Sequence, residues 1–96
     1  MLLHTLSAPP SSTAFSECLQ LLAPDDALVL MGDGVYAALR GTSAAKQLEA
    51  SGAELYLLQP DAAAAGVLPA PAAFQVIEID GLVELTERFQ RQLAWY

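Results

Sequence analysis

Ninety-six residues allow one compact domain, read as spanning 1–96, and eleven acidic against four basic side chains give it a formal charge of −7. That sign opposes the phosphate neutralisation on which nucleic-acid binding chiefly rests, so direct contact with DNA or RNA is not expected. One cysteine and one histidine exclude an internal disulfide and a cysteine-rich zinc site, no metal or other cofactor is expected, and no run approaches the ~20 apolar residues of a membrane span.

The predicted elements follow from short apolar runs separated by turn signals. "LLHTL", residues 2–6, is a first strand that stops before Pro9 and Pro10. Ser11 or Ser12 then caps a helix in which Phe15, Cys18, Leu19 and Leu22 fall at i, i+3, i+4 and i+7, one apolar stripe facing a sheet. "PDD" at 24–26 closes that helix. "ALVLM", 27–31, is apolar without alternation, as a parallel strand covered on both faces should be.

After "GDG" comes a short helical turn in "VYAALRG" ending at Gly41, then a more polar helix around "SAAKQLEA" that Gly52 terminates. "AELYLL", 53–58, is a third strand, and the small-residue segment "QPDAAAAGVLPAPAA" connects it onward with at most one helical turn, broken by Pro69 and Pro71. "FQVIEID", 74–80, is the last strand, and Asp80 caps a final helix from Gly81 in which Leu82, Leu85, Phe89, Leu93 and Tyr96 recur at helical spacing. The order predicts an α/β fold: a three-layer, Rossmann-like parallel sheet of four or five strands with helices on both faces.

In such a fold the functional loops sit at the carboxyl ends of the strands, here "HTLSAPPSS", "GDGVYAALRG" and "LLQPDAAAAG". Gly32-x-Gly34-x-x-Ala37 fits a relaxed dinucleotide fingerprint, but Asp33 would oppose a pyrophosphate and the motif follows the second strand rather than the first. Tight-turn glycines with Asp33 as a helix cap are the preferred reading, and a nucleotide-binding or other small interaction module stands as an alternative. His4 is either a general base or a core histidine with one hydrogen-bonded nitrogen.

Cys18, the only sulfur nucleophile available, has two readings. As a persulfide carrier it would need a thiolate, which helix N-termini or neighbouring cations favour, yet it follows Glu17 beyond the first turn with no basic residue in its helix. As a packed thiol it fills the apolar stripe. Trp95 and Tyr96 either dock on the sheet or meet a neighbouring subunit. With 54% hydrophobic and 16% charged residues, the chain has more apolar surface than its own core takes in, which predicts an oligomeric interface of about 800 Å² per partner or more. "MLLHTLSAPPSS" lacks a basic n-region, so a cytoplasmic protein is expected.

Taken together, "MLLHTL", "FSECL", "GDGVYAALRGT", "LYLLQPDAAAAGV", "IDGLVELT" and the terminal "AWY" resemble the TusB/DsrH family of sulfur-relay subunits, essentially end to end. One departure is an additional leucine before His4. The resemblance implies a DsrE/DsrF/DsrH-like fold and a place beside TusC-like and TusD-like subunits in a dimer of heterotrimers. It implies that this complex passes persulfide sulfur from a TusA-like to a TusE-like carrier for 2-thiolation of the tRNA wobble uridine, or, in the DsrH branch, serves sulfur oxidation. It also implies that the main sulfur-carrying cysteine lies in the TusD-like subunit, while DsrH-type members have a cysteine matching Cys18, whose part as catalytic carrier or packed thiol stays open. Whether a homodimer forms without the partners is left open too.

Overall fold

The computed structural model describes residues 1–96. Five strands form one sheet: β1 (Leu3–Leu6), β2 (Ala27–Leu30), β3 (Glu54–Leu58), β4 (Phe74–Ile77) and β5 (Gln92–Trp95). Their spatial order is β4-β3-β2-β1-β5 and every pairing is parallel. Four α-helices, α1 (Thr13–Leu21), α2 (Ser43–Ala50), α3 (Gln59–Ala65) and α4 (Ile79–Arg88), and a 3₁₀ segment at Gly32–Ala38 make the crossovers.

The strand order decides which face each helix covers. Three successive crossovers step the same way, from β1 to β4, so right-handedness puts α1, the 3₁₀ segment, α2 and α3 on one face. The last step returns to the far side of β1 and sends α4 to the opposite face. Leu6, Leu28, Leu30, Leu55, Leu57 and Phe74 point into the first layer against Phe15, Cys18, Leu48 and Ala62. Leu3, Ala27 and Val29 point into the second against Leu85 and Phe89. All four residues of β2 are fully buried, as its unalternating pattern required.

Local chemistry explains the helix ends. The Ser12 hydroxyl accepts the Phe15 N–H at 3.2 Å, and Thr42 does the same for Ala45 at 3.3 Å. Gly66 ends α3 in the left-handed conformation at φ 73°.

Four expectations need correction, three of them local. The segment after β3 is not a connection with one turn: Pro60 in the first turn opens a full helix, α3, because proline's missing N–H is an orphan there anyway. β4 stops at Ile77 rather than Asp80; Glu78 takes the cap position and Asp80 lies in the first turn of α4, where its charge suits the helix dipole. Asp33 does not cap either, since Met31 holds that position and no side-chain cap bond is made.

The largest correction is at the C-terminus. The final helix ends at Arg88, and Gln92–Trp95 is a fifth strand against β1. Leu93 and Tyr96 continue the helical spacing of Leu82, Leu85 and Phe89 only by coincidence. As a strand, the segment satisfies the open edge of β1, whose Leu3 and Ser7 amides donate to the carbonyls of Arg91 and Trp95 at 3.0 Å.

Candidate functional site

Cys18 sits in the buried stripe of α1 and is 1% exposed. Burial first, and then the negative charge of Asp26, push its thiol up to about 12. Both effects favour the neutral thiol over the thiolate at pH 7.

Beneath the same layer lies a polar chain of three side chains, two of them buried and Trp95 half-buried. Trp95 Nε1–H donates to His4 Nδ1 at 3.1 Å. Indole nitrogen only donates, so His4 carries its proton on Nε2 and donates it to Asp26 Oδ2 at 3.0 Å. Asp26 also accepts the amides of Leu2 at 2.9 Å and Ala23 at 3.0 Å. Burial alone would raise the Asp26 carboxyl, but the bonds from His4, Ala23 and Leu2 outweigh it and hold the group below its usual range. The histidine is fully buried and both its nitrogens are used. With no solvent access and no spare lone pair it orients strands rather than moving protons to a substrate.

At the carboxyl ends of β2 and β3 the structure brings two of the three candidate loops together. Asp61, in the first turn of α3, accepts the Gly32 amide at 2.8 Å. Gly32, Asp33, Tyr36, Asp61, Ala64 and Ala65 line a shallow cavity of about 210 Å³ between them. Gly34 beside it lies against the loop after β1: a Cβ there would overlap the carbonyl oxygen of Leu6. The cavity presents two carboxylates and no cation, which disfavours a pyrophosphate and leaves the Gly32–Gly34 motif as a turn packed against its neighbours.

A second constellation lies on the α4 face. Arg88 donates to Glu54 Oε2, and the Tyr56 hydroxyl donates to Glu54 Oε1 at 2.6 Å. The Tyr56 bond first, then the one from Arg88, hold Glu54 below its ordinary value. All three groups are exposed or half-buried, so this cluster ties α4 to β3 without forming an enclosed site.

The sequence named His4 and Cys18 singly; the structure shows what surrounds each. Asp26 and Trp95 were missed as partners of His4, since Asp26 read as one of a turn-forming pair and Trp95 as part of a helix. The usable signal was Asp26 itself, an acid standing directly before the fully apolar run of β2.

Comparison with known proteins places this geometry. The family model described as "DsrH like protein" matches residues 8–92. Protein TusB of Pectobacterium parmentieri is 39% identical over 95 residues, covering 98% of this chain and all of that protein, and Protein TusB of Escherichia fergusonii is 38% identical with the same coverage. The crystal structure of the YchN protein from E. coli superposes with a TM-score of 0.70 at 21% identity, over 98% of this chain and 97% of that one, and so shares the fold. With its family match and its full-length likeness to TusB proteins, the chain belongs to the TusB/DsrH family.

Proposed function

We propose that this chain is a supporting subunit of a cytoplasmic sulfur-relay complex, in which TusC-like and TusD-like partners complete a dimer of heterotrimers. The complex takes persulfide sulfur from a TusA-like carrier and gives it to a TusE-like one for 2-thiolation of the tRNA wobble uridine. The full-length likeness to TusB proteins carries this reading. Two physical observations support the supporting rather than the sulfur-carrying part: the only cysteine is buried with its thiol pushed up to about 12, and the acidic chain leaves tRNA contact to another protein.

The test is the 2-thiouridine content of tRNA, by nucleoside mass spectrometry, in cells with the intact gene, a deletion, or Cys18→Ala. Alanine is used because a serine hydroxyl at this buried position would lack a partner. Loss in the deletion with retention in Cys18→Ala is expected. Loss in both, with the variant folded and assembled, would make Cys18 a relay thiol as in the DsrH-branch reading, and no loss in either would remove tRNA thiolation as the function.

A further inference from the structure

Little holds β5 to the sheet. It has one neighbour, Gln92, Leu93 and Ala94 are exposed, and only Trp95 packs against the larger core layer. Its ladder runs to β1 alone. The Leu3 and Ser7 amides donate to the carbonyls of Arg91 and Trp95, and in that register the Leu93 and Trp95 amides donate back to Leu3 and Thr5. Two side-chain ties remain, from Ser7 Oγ to the Trp95 carbonyl at 3.3 Å and from the Trp95 indole to His4 Nδ1 at 3.1 Å. An element that buries so little opens at low cost while the rest of a sheet stays folded.

The indole bond makes that opening depend on protons. His4 Nδ1 has one lone pair, which the Trp95 N–H occupies, while Nε2–H is directed at Asp26 Oδ2 at 3.0 Å. A second proton on His4 can go only to Nδ1, because Nε2 already carries one. The imidazolium would then set N–H against N–H across 3.1 Å, two donors with no acceptor between them. Closed β5 and a doubly protonated His4 therefore exclude each other. When Trp95 withdraws, water reaches Nδ1 and accepts its hydrogen bond, and the imidazolium keeps a charge-assisted bond to the Asp26 carboxylate.

We infer that His4 is a proton-controlled latch on β5: with Nδ1 unprotonated the Trp95 indole is held and the strand is closed, and proton uptake at Nδ1 releases Trp95 and β5 together. The groups around His4 leave it as the one that titrates. Burial opposes the charge of Asp26, but the bonds from His4, Ala23 and Leu2 hold its carboxyl below the ordinary range, so it stays ionised in mild acid. α1 contributes Cys18, whose thiol burial and the Asp26 charge keep neutral. β2 sets Leu28 beside His4 and β5 sets Leu93 there, and neither titrates. The open state binds one proton more than the closed one, so closure is complete at high pH and is lost as pH falls, by at most about tenfold per pH unit. The window is the one in which imidazole gains its second proton, between about pH 8 and pH 5.

Amide hydrogen exchange of the purified full chain, read residue by residue by NMR from about pH 8 to pH 5 and divided by the intrinsic rate at each pH, tests the latch. The Leu93 and Trp95 amides and the Trp95 indole N–H should lose protection as pH falls, approaching about tenfold per unit at the acid end, while the amides of β2 keep theirs. Emission from Trp95, the chain's one tryptophan, should shift to the red over the same range. His4→Gln keeps a side-chain donor and acceptor without the titration, and should remove the pH dependence of β5 exchange. β5 protection that does not change with pH, loss of β2 protection in step with β5, or a pH dependence that persists in folded His4→Gln would each overturn the proposal, and the first two readouts need no variant.

Discussion

At the scale of single residues, the Trp95–His4–Asp26 chain yields the sharpest expectations. Trp95→Phe keeps the aromatic bulk but leaves His4 Nδ1 without a donor in a fully buried site, which should cost about 1–3 kcal/mol in urea unfolding. Asp26 is held below its ordinary 3.8, so its contribution is present above that value and lost as pH falls through the folded one. Stability below pH 4 should therefore fall more steeply in the unaltered chain than in Asp26→Asn. Cys18 runs the other way. Its thiol is raised from 9.0 to about 12, so stability is complete below pH 9 and falls between 9 and 12 as the unfolded chain ionises, by about 1.4 kcal/mol per unit. Cys18→Ala should remove that part of the alkaline slope, which the difference between the two pH–stability curves isolates from other titrating groups. The core reading of His4 was open to the sequence because a lone histidine inside an apolar strand is commonly packed with its ring nitrogens bonded. Its partners come from 22 and 91 residues away, separations that no local pattern encodes.

Elements were legible where one force dominated. β2 buries both faces, so its four apolar residues have one solution, and α1 declares itself by a serine cap and a stripe at i, i+3, i+4 and i+7. The C-terminus was not legible, because α4 and β5 share one run of apolar spacings and the strand is chosen by something outside the segment, the open edge of β1. The same lesson applies to the 3₁₀ segment: its glycine at 34 is required by the passing carbonyl of Leu6, a tertiary contact, rather than by a phosphate. Gly34→Ala should accordingly destabilise the fold by several kcal/mol or prevent it from forming, read as lost soluble yield and a lower unfolding midpoint, while Gly66→Ala pays only for a strained backbone at an open position.

At the scale of the molecule, composition and structure share one feature, apolar side chains left outside the core. The layer against α4 is thin, Ile79 and Val83 stand half exposed on that helix, and Leu39 and Tyr36 do so at the carboxyl end of the sheet. The one small cavity at that end carries two carboxylates, and the one thiol is sealed in the core. No helix is long and apolar enough to cross a membrane. The proposed role has this subunit support a relay without carrying its sulfur on Cys18. Intact-mass spectrometry of the folded chain, alone and with the proposed TusC-like and TusD-like partners, after exposure to a persulfide donor decides between the two readings. An unmodified mass for this chain is expected in both samples, with labelling of Cys18 by an alkylating reagent only after unfolding; a one-sulfur adduct of about +32 Da localised to Cys18 in the folded chain or the complex would make Cys18 a sulfur carrier.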